Sequence, residues 1–225
     1  MPSVKMPKKS TDTDMTPFVD VAFLILSFFM LATKFKPPEP VEVTTPYSVS
    51  SDKLKESDAM WITIDKDSRV FFSVTAKNSK DGTFKKVAEG INTERQLGLS
   101  PTDINNLENS LSLGSLIGVP LSNLKQLMQY TPKDQAGVKQ QGIPVLDSAT
   151  NELVSWVAVA KQAFVGKKAL ILIKGDGLSK YPTFGGVVDA LKRNDELKYN
   201  LITSPEDAPP GSALQANRLK EQQAK

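Results

Sequence analysis

The sequence predicts an α+β fold: a small mixed sheet with helices packed on one face, carried behind a single N-terminal transmembrane helix and a proline-rich linker. Three observations lead there. An apolar run near the N-terminus approaches the length of a bilayer core. A cluster of prolines follows it. Beyond residue 58, short β-rich runs alternate with segments of helical apolar spacing, and the pattern ends strand, helix, strand.

The chain has 225 residues, room for one or two domains. Its 28 Lys+Arg against 25 Asp+Glu leave a net charge of +3, too balanced for a nucleic-acid groove. With 40% hydrophobic and 24% charged residues, a packed core is within reach. The sequence contains no cysteine and no histidine. Disulfides, thiolate catalysis, Ser-His-Asp triads and His-based metal sites are therefore excluded, and no metal or cofactor is expected. Carboxylate, lysine, tyrosine and water remain for proton chemistry.

Residues 1–14 form a polar tail with Lys5, Lys8, Lys9, Asp12 and Asp14. The membrane segment is expected over 15–35. Thirteen of the sixteen residues from Phe18 to Thr33 are apolar, and Lys34 and Lys36 can reach the headgroups. A cleaved signal peptide and a buried soluble helix compete with this reading. A signal peptide has a shorter, uncharged core and a small-residue cleavage site, whereas this run holds Asp20 and ends Met30-Leu31-Ala32-Thr33-Lys34. A buried soluble helix usually has a wider polar face. An uncleaved transmembrane helix fits best.

The linker is expected over 36–58, extended and mobile, because Pro37, Pro38, Pro40 and Pro46 reject helix. The domain is expected over 59–204. Met60–Ile64 and Arg69–Val74 read as a hairpin closed by Asp65-Lys66-Asp67-Ser68. Thr75–Gly98 reads as a long polar excursion. Ser100-Pro101 reads as an N-cap and first helical position. Leu121, Leu124, Leu127 and Met128 mark a further helical face, and 136–144 a loop. Glu152–Val165 fits a helix, Lys168–Lys174 an interior strand, Thr183–Arg193 a helix, and Lys198–Thr203 a last strand at or near a sheet edge. Residues 205–225 are expected to be a flexible polar tail.

Asp20 carries the chemistry. A carboxylate within an apolar spanning helix costs at least roughly 2.5–3.5 kcal/mol. The bland alternative is that Asp20 sits near enough to the helix start to cap it, with Pro17 in the first turn. Thr16, Asp20 and Ser27 fall within roughly 60° of one another at about 100° per residue, a thin polar stripe on a greasy helix. One helix cannot cover its own stripe, so a membrane partner is implied. Other motifs fail: in Gly175-Asp176-Gly177 the third glycine of a dinucleotide fingerprint falls at Lys180. Asp65 and Asp67 read as a solvated turn rather than a calcium site. Trp61 and Trp156 read as core.

Thr16-Pro17-Phe18-Val19-Asp20-Val21 and the run after it resemble the transmembrane signature of the ExbD/TolR family. Ala169–Thr203 resembles that family's closing strand, loop, helix and strand, while residues 77–166 are longer than its compact domain and Ser68 stands where the turn would carry glycine. The resemblance implies a single-pass inner-membrane protein of a Gram-negative bacterium, N-terminus cytoplasmic, with a periplasmic α+β domain. It implies two copies within a ring of an ExbB/TolQ-like polytopic partner, Asp20 as the proton-relay residue, Pro17 and Phe18 as motif positions, and work passed to a TonB- or TolA-like protein. The charge flanks alone give only a small inside bias. Two alternatives stay open: a membrane-anchored structural or binding module, TolR-like in envelope integrity or cell-wall tethering, and an anchored enzyme, for which no spacing marks a carboxylate pair.

Overall fold

The computed structural model describes residues 15–32, 41–48, 58–78, 81–135, 137–206 and 212. The chain divides into two units, Met1–Lys36 and Pro37–Lys225. The expected polar tail 1–14 lies outside the described residues, as does all of 205–225 except Pro205, Glu206 and Ser212.

In the first unit, α1 runs Thr16–Ala32 without a break for 17 residues. At 1.5 Å per residue it is about 25 Å long, short of a bilayer core. Among the described residues no helix is long and apolar enough to cross a membrane. The expected span of 15–35 is thus helical over Thr16–Ala32, and residues 33–35 lie outside the described residues.

The second unit is built on a mixed four-stranded sheet. A two-residue strand β1 (Tyr47–Ser48) precedes β2 (Ala59–Ile64) and β3 (Val70–Thr75). Five helices follow: α2 (Thr83–Arg95), α3 (Pro101–Ser112), α4 (Leu121–Leu127), α5 (Pro132–Gln135) and α6 (Leu153–Ala163). Then come β4 (Leu170–Gly175), α7 (Tyr181–Arg193), β5 (Asn200–Ile202) and β6 (Ser204–Pro205). The sheet order is β3-β2-β4-β5. β2 and β3 form the expected hairpin, with Ile62 opposite Phe72, while β2–β4 and β4–β5 are parallel. The apolar Leu170–Gly175 strand lies inside the sheet and the last strand at its edge, as expected.

Period-two alternation sends Met60, Ile62, Ile64, Val70, Phe72, Val74, Ile171 and Ile173 to one face. There they join Val87 and Ile91 of α2, Leu107 and Leu111 of α3, Leu124 of α4, Trp156 of α6 and Val187 and Leu191 of α7 in one core. Trp156 is fully buried against Phe72, with ring centroids 5.3 Å apart. On the opposite face Phe71 packs with Val41 and Leu116.

Two expectations are corrected here. The excursion Thr75–Gly98 contains α2, whose Phe84, Val87, Ala88 and Ile91 form a buried stripe at helical spacing. Gly90 disguised it, yet that glycine is what lets α6 approach: a Cβ there would lie 2.5 Å from Val159 Cγ1. The hairpin end is not solvated throughout. Asp65 is fully buried, because Arg69 covers it with an ion pair at 2.6 Å and a second bond from Nε at 2.7 Å. Ser68 adopts φ 63, the left-handed position usually given to glycine.

α3 starts as the sequence predicts. Ser100 caps it, Asp103 reaches back in a capping box, and Pro101 opens the first turn. The segment between α3 and α6 closes the β3 edge of the sheet. Phe72 and Ile117 exchange backbone bonds at 2.8 and 2.9 Å, and Ile143 N–H donates to Val70 O at 2.8 Å. The strap from Pro144 to Asn151 then crosses α7. Asn151 Nδ2 donates to Gly186 O at 2.8 Å, and Ser148 Oγ bonds Asp189 at 3.1 Å.

Candidate functional site

Asp20 is the fifth residue of α1, and the first turn of that helix holds no acidic residue. The orphan N–H groups of a helix are its first four, so Asp20 stands past the capping positions. That removes the cap alternative. Its side chain is exposed and its carboxylate has no partner among the described residues. Because α1 is unbroken, Thr16, Asp20 and Ser27 keep one face. Ser27 Oγ donates to Leu24 O at 3.0 Å, which satisfies the hydroxyl within the helix. Pro17 occupies the second helical position and Phe18 is 76% exposed. The rest of α1 is exposed apolar surface, including Phe23, Leu26, Phe28, Phe29 and Leu31. The arrangement is one carboxylate on a helix whose other side chains, Thr16 and Ser27 apart, are apolar.

A second locus, in the domain, was not legible in the sequence. The linker residues Val41–Ser48 are extended but docked, which corrects the expectation of a free linker over that stretch; residues 36–40 and 49–57 lie outside the described residues. The fastening point is Asp176, in the loop after β4 whose glycines suggest and then fail a nucleotide motif. Its carboxylate accepts the N–H of Leu178 at 2.9 Å and of Thr44 at 2.8 Å. Those two bonds, with Lys66 nearby, hold its pKa below the ordinary carboxylate range. Gly177 N–H returns a bond to Thr44 O at 3.0 Å. Thr45 Oγ1 and Ser204 Oγ lie 2.7 Å apart, and β1 pairs in parallel with β6. The strand of the linker is therefore Tyr47–Ser48, and it pairs within its own chain.

The remaining charged cluster is structural. Asp81 binds Lys167 Nζ and caps Thr83 N–H at 3.0 Å, which staples the start of α2 to the end of α6. The Lys167 ammonium, then the Thr83 bonds, lower the Asp81 pKa to about 2. No group of three or more acidic side chains that could hold a metal occurs among the described residues.

No curated protein and no solved structure matches the chain. The family model described as biopolymer transport protein ExbD/TolR matches residues 6–206, which takes in Asp20, the docked linker and the whole sheet. The chain belongs to the ExbD/TolR family.

Proposed function

We propose that this protein is a proton-motive-force-coupled energy-transduction subunit of an ExbB–ExbD-like inner-membrane complex, acting through a TonB-like protein on transport across the outer membrane. The observation that carries this is Asp20: a carboxylate past the capping turn of an otherwise apolar helix, within the family match. In this reading α1 and its flanks cross the bilayer, N-terminus in the cytoplasm and domain in the periplasm of a Gram-negative cell. Two copies insert α1 into the interior of an ExbB/TolQ-like partner, whose helices cover Thr16, Asp20 and Ser27. Exposed apolar surface along α1 supports such a cover, since water would be a poor solvent for it. Pro17 and Phe18 set the entry of the helix.

The work available is about 2.3 kcal/mol per charge per 100 mV. Asp20 extracts it if its ionised and protonated forms favour different contacts, which shifts the helix population with each proton. A TonB- or TolA-like periplasmic segment then receives the motion. The sheet offers a place for it: β3 is closed by Ile117 and Ile143, whereas no described strand pairs with the outer edge of β5. An extended peptide adds there through main-chain bonds.

Asp20→Asn tests the proposal, because it keeps size and hydrogen bonding and removes titration. Transport or envelope function is expected to vanish while the variant still assembles with its membrane partner. Wild-type function in Asp20→Asn overturns transduction and leaves the anchored-module reading.

A further inference from the structure

α7 leaves one flank uncovered. Its buried residues Thr183, Val187, Ala190 and Leu191 face the core, and the strap takes Gly186 and Asp189. At about 100° per residue, Tyr181, Phe184, Val188 and Lys192 share the remaining flank. The strap and α6 lie on the other side: Asn194 Nδ2 donates to Val154 O at 3.1 Å, and α6 carries Trp156 to Phe72 in β3. The free flank therefore points away from β3, toward the outer edge of β5. Leu201 stands beneath it. That residue pairs with the core residue Ile173, which puts it on the helix side of the sheet, yet it is 56% exposed. Phe184 and Val188 are half-buried, and Tyr181 is 80% exposed with its ring 6.4 Å from that of Phe184.

The result is a groove with an open strand edge for its floor and an apolar wall along one side. An open edge specifies its occupant, because only an extended backbone matches its unpaired N–H and C=O groups. β5 is three residues long, so main-chain bonds are few and the wall must supply the rest of the affinity. Side chains alternate along an extended segment, so every second one meets the wall. Charge distinguishes the two ends. α7 runs from the exit of β4 back to the entrance of β5, which places Lys192 and Lys198, both exposed, where β5 begins. Glu196 is held by Lys161 at 3.1 Å, which leaves Asp195 to oppose the two ammoniums in that turn. We infer that this groove selects an extended peptide whose alternate residues are apolar and which carries a carboxylate at the Lys192–Lys198 end, with Tyr181, Phe184, Val188 and Leu201 as the specificity-determining side chains. The inference rests on β5 as the edge that receives a partner segment, and it adds which sequences that edge accepts.

The test titrates peptides into the isotope-labelled full-length protein in detergent micelles and follows backbone amide shifts. The first probe is a short capped peptide in which valine alternates with threonine between terminal glutamates. It is expected to shift the amides of β5. It is also expected to bind several-fold more tightly than a peptide of the same residues with the valines grouped together, and than one ending in lysines. Leu201→Thr and Tyr181→Ser, both at exposed positions, are expected to weaken the alternating peptide several-fold and to leave the grouped one unchanged. Lys192→Glu combined with Lys198→Glu is expected to reverse the preference toward lysine ends, which a merely structural role for these residues would not do. Equal affinity for alternating and grouped peptides, with β5 amides moving for both, overturns the inference and keeps β5 as the receiving edge. No movement at β5 with any peptide overturns both. Parental affinity in Leu201→Thr and Tyr181→Ser refutes the wall. Shifts at β5 that grow with protein concentration in the absence of peptide mean that a second copy fills the groove, which also overturns the inference.

Discussion

Adjacent glycines in α7 supply a controlled perturbation of the strap. Gly185 and Gly186 are both helical, and Ala is favoured over Gly in a helix interior by roughly 1 kcal/mol. A Cβ on Gly185 meets nothing within 4 Å, so Gly185→Ala is expected to stabilise by about 0.5–1 kcal/mol. A Cβ on Gly186 would lie 2.9 Å from the carbonyl carbon of Val145, 3.2 Å from its Cβ, and closer still to its oxygen. That neighbour is backbone, fixed through the 2.8 Å bond from Asn151 to Gly186 O, so the strap must lift. Overpacking of this kind costs about 1–3 kcal/mol, and a strained or lost hydrogen bond about 0.5–1.5 more. Set against the helix gain, Gly186→Ala is expected to destabilise by about 1–3 kcal/mol. The two variants should therefore differ by roughly 2–4 kcal/mol, or about 4–16 °C in Tm for a domain of this size. Tryptophan-detected urea unfolding reads this cleanly, since Trp61 and Trp156 both lie in the domain and α1 is silent. If Gly186→Ala stabilises as much as Gly185→Ala, the strap does not sit on α7 and the close-approach argument is wrong.

Three further predictions concern the domain. Asp81, with its pKa lowered to about 2 from 3.8, contributes stability above pH 4 that is lost as pH falls toward 2; Asp81→Asn should flatten the stability profile in that window, and an unaltered profile would contradict the staple. Asp176→Ala should speed amide exchange at Val43–Ser48 without moving the global unfolding midpoint, and unchanged exchange there would show that Thr44 is held by something else. Trp156 buries its indole N–H without a partner among the described residues, so Trp156→Phe removes an orphan donor along with some packing, and the two terms nearly cancel. A net cost below about 1.5 kcal/mol is expected from urea unfolding; a loss above about 3 kcal/mol would mean that the N–H is satisfied.

What the sequence disclosed and what it concealed divide by range. The β2–β3 hairpin, the Ser100 capping box and the edge and interior strands are written in neighbouring residues, through alternation and capping chemistry. α2 was written there too, in Phe84, Val87, Ala88 and Ile91, but Gly90 and the surrounding charges hid a stripe whose partner is Val159 of α6. The Thr44–Asp176 clasp joins residues 132 apart, and no local pattern announces which N–H a turn carboxylate will accept. The Asp65–Arg69 pair was missed for a related reason. Burial of the carboxylate depends on Arg69 folding over it and donating to Gln140 O at 2.9 Å, a contact 71 residues away. Asp20 was the opposite case: its place within an apolar run is local, and the structure added where the helix begins, four residues ahead of it.

The bridge at Ile117 also bears on solubility. Strand edges recruit one another, and a sheet open at both sides can stack neighbours without limit into a fibre. Here Ile117 and Ile143 occupy backbone groups of Phe72 and Val70 on the outer side of β3, whereas no described strand pairs with the outer side of β5. Whatever strand takes that edge uses up the valence of the sheet. Two copies joined there would close on each other as a finite pair, and a third would meet a β3 edge already bonded at Val70 and Phe72.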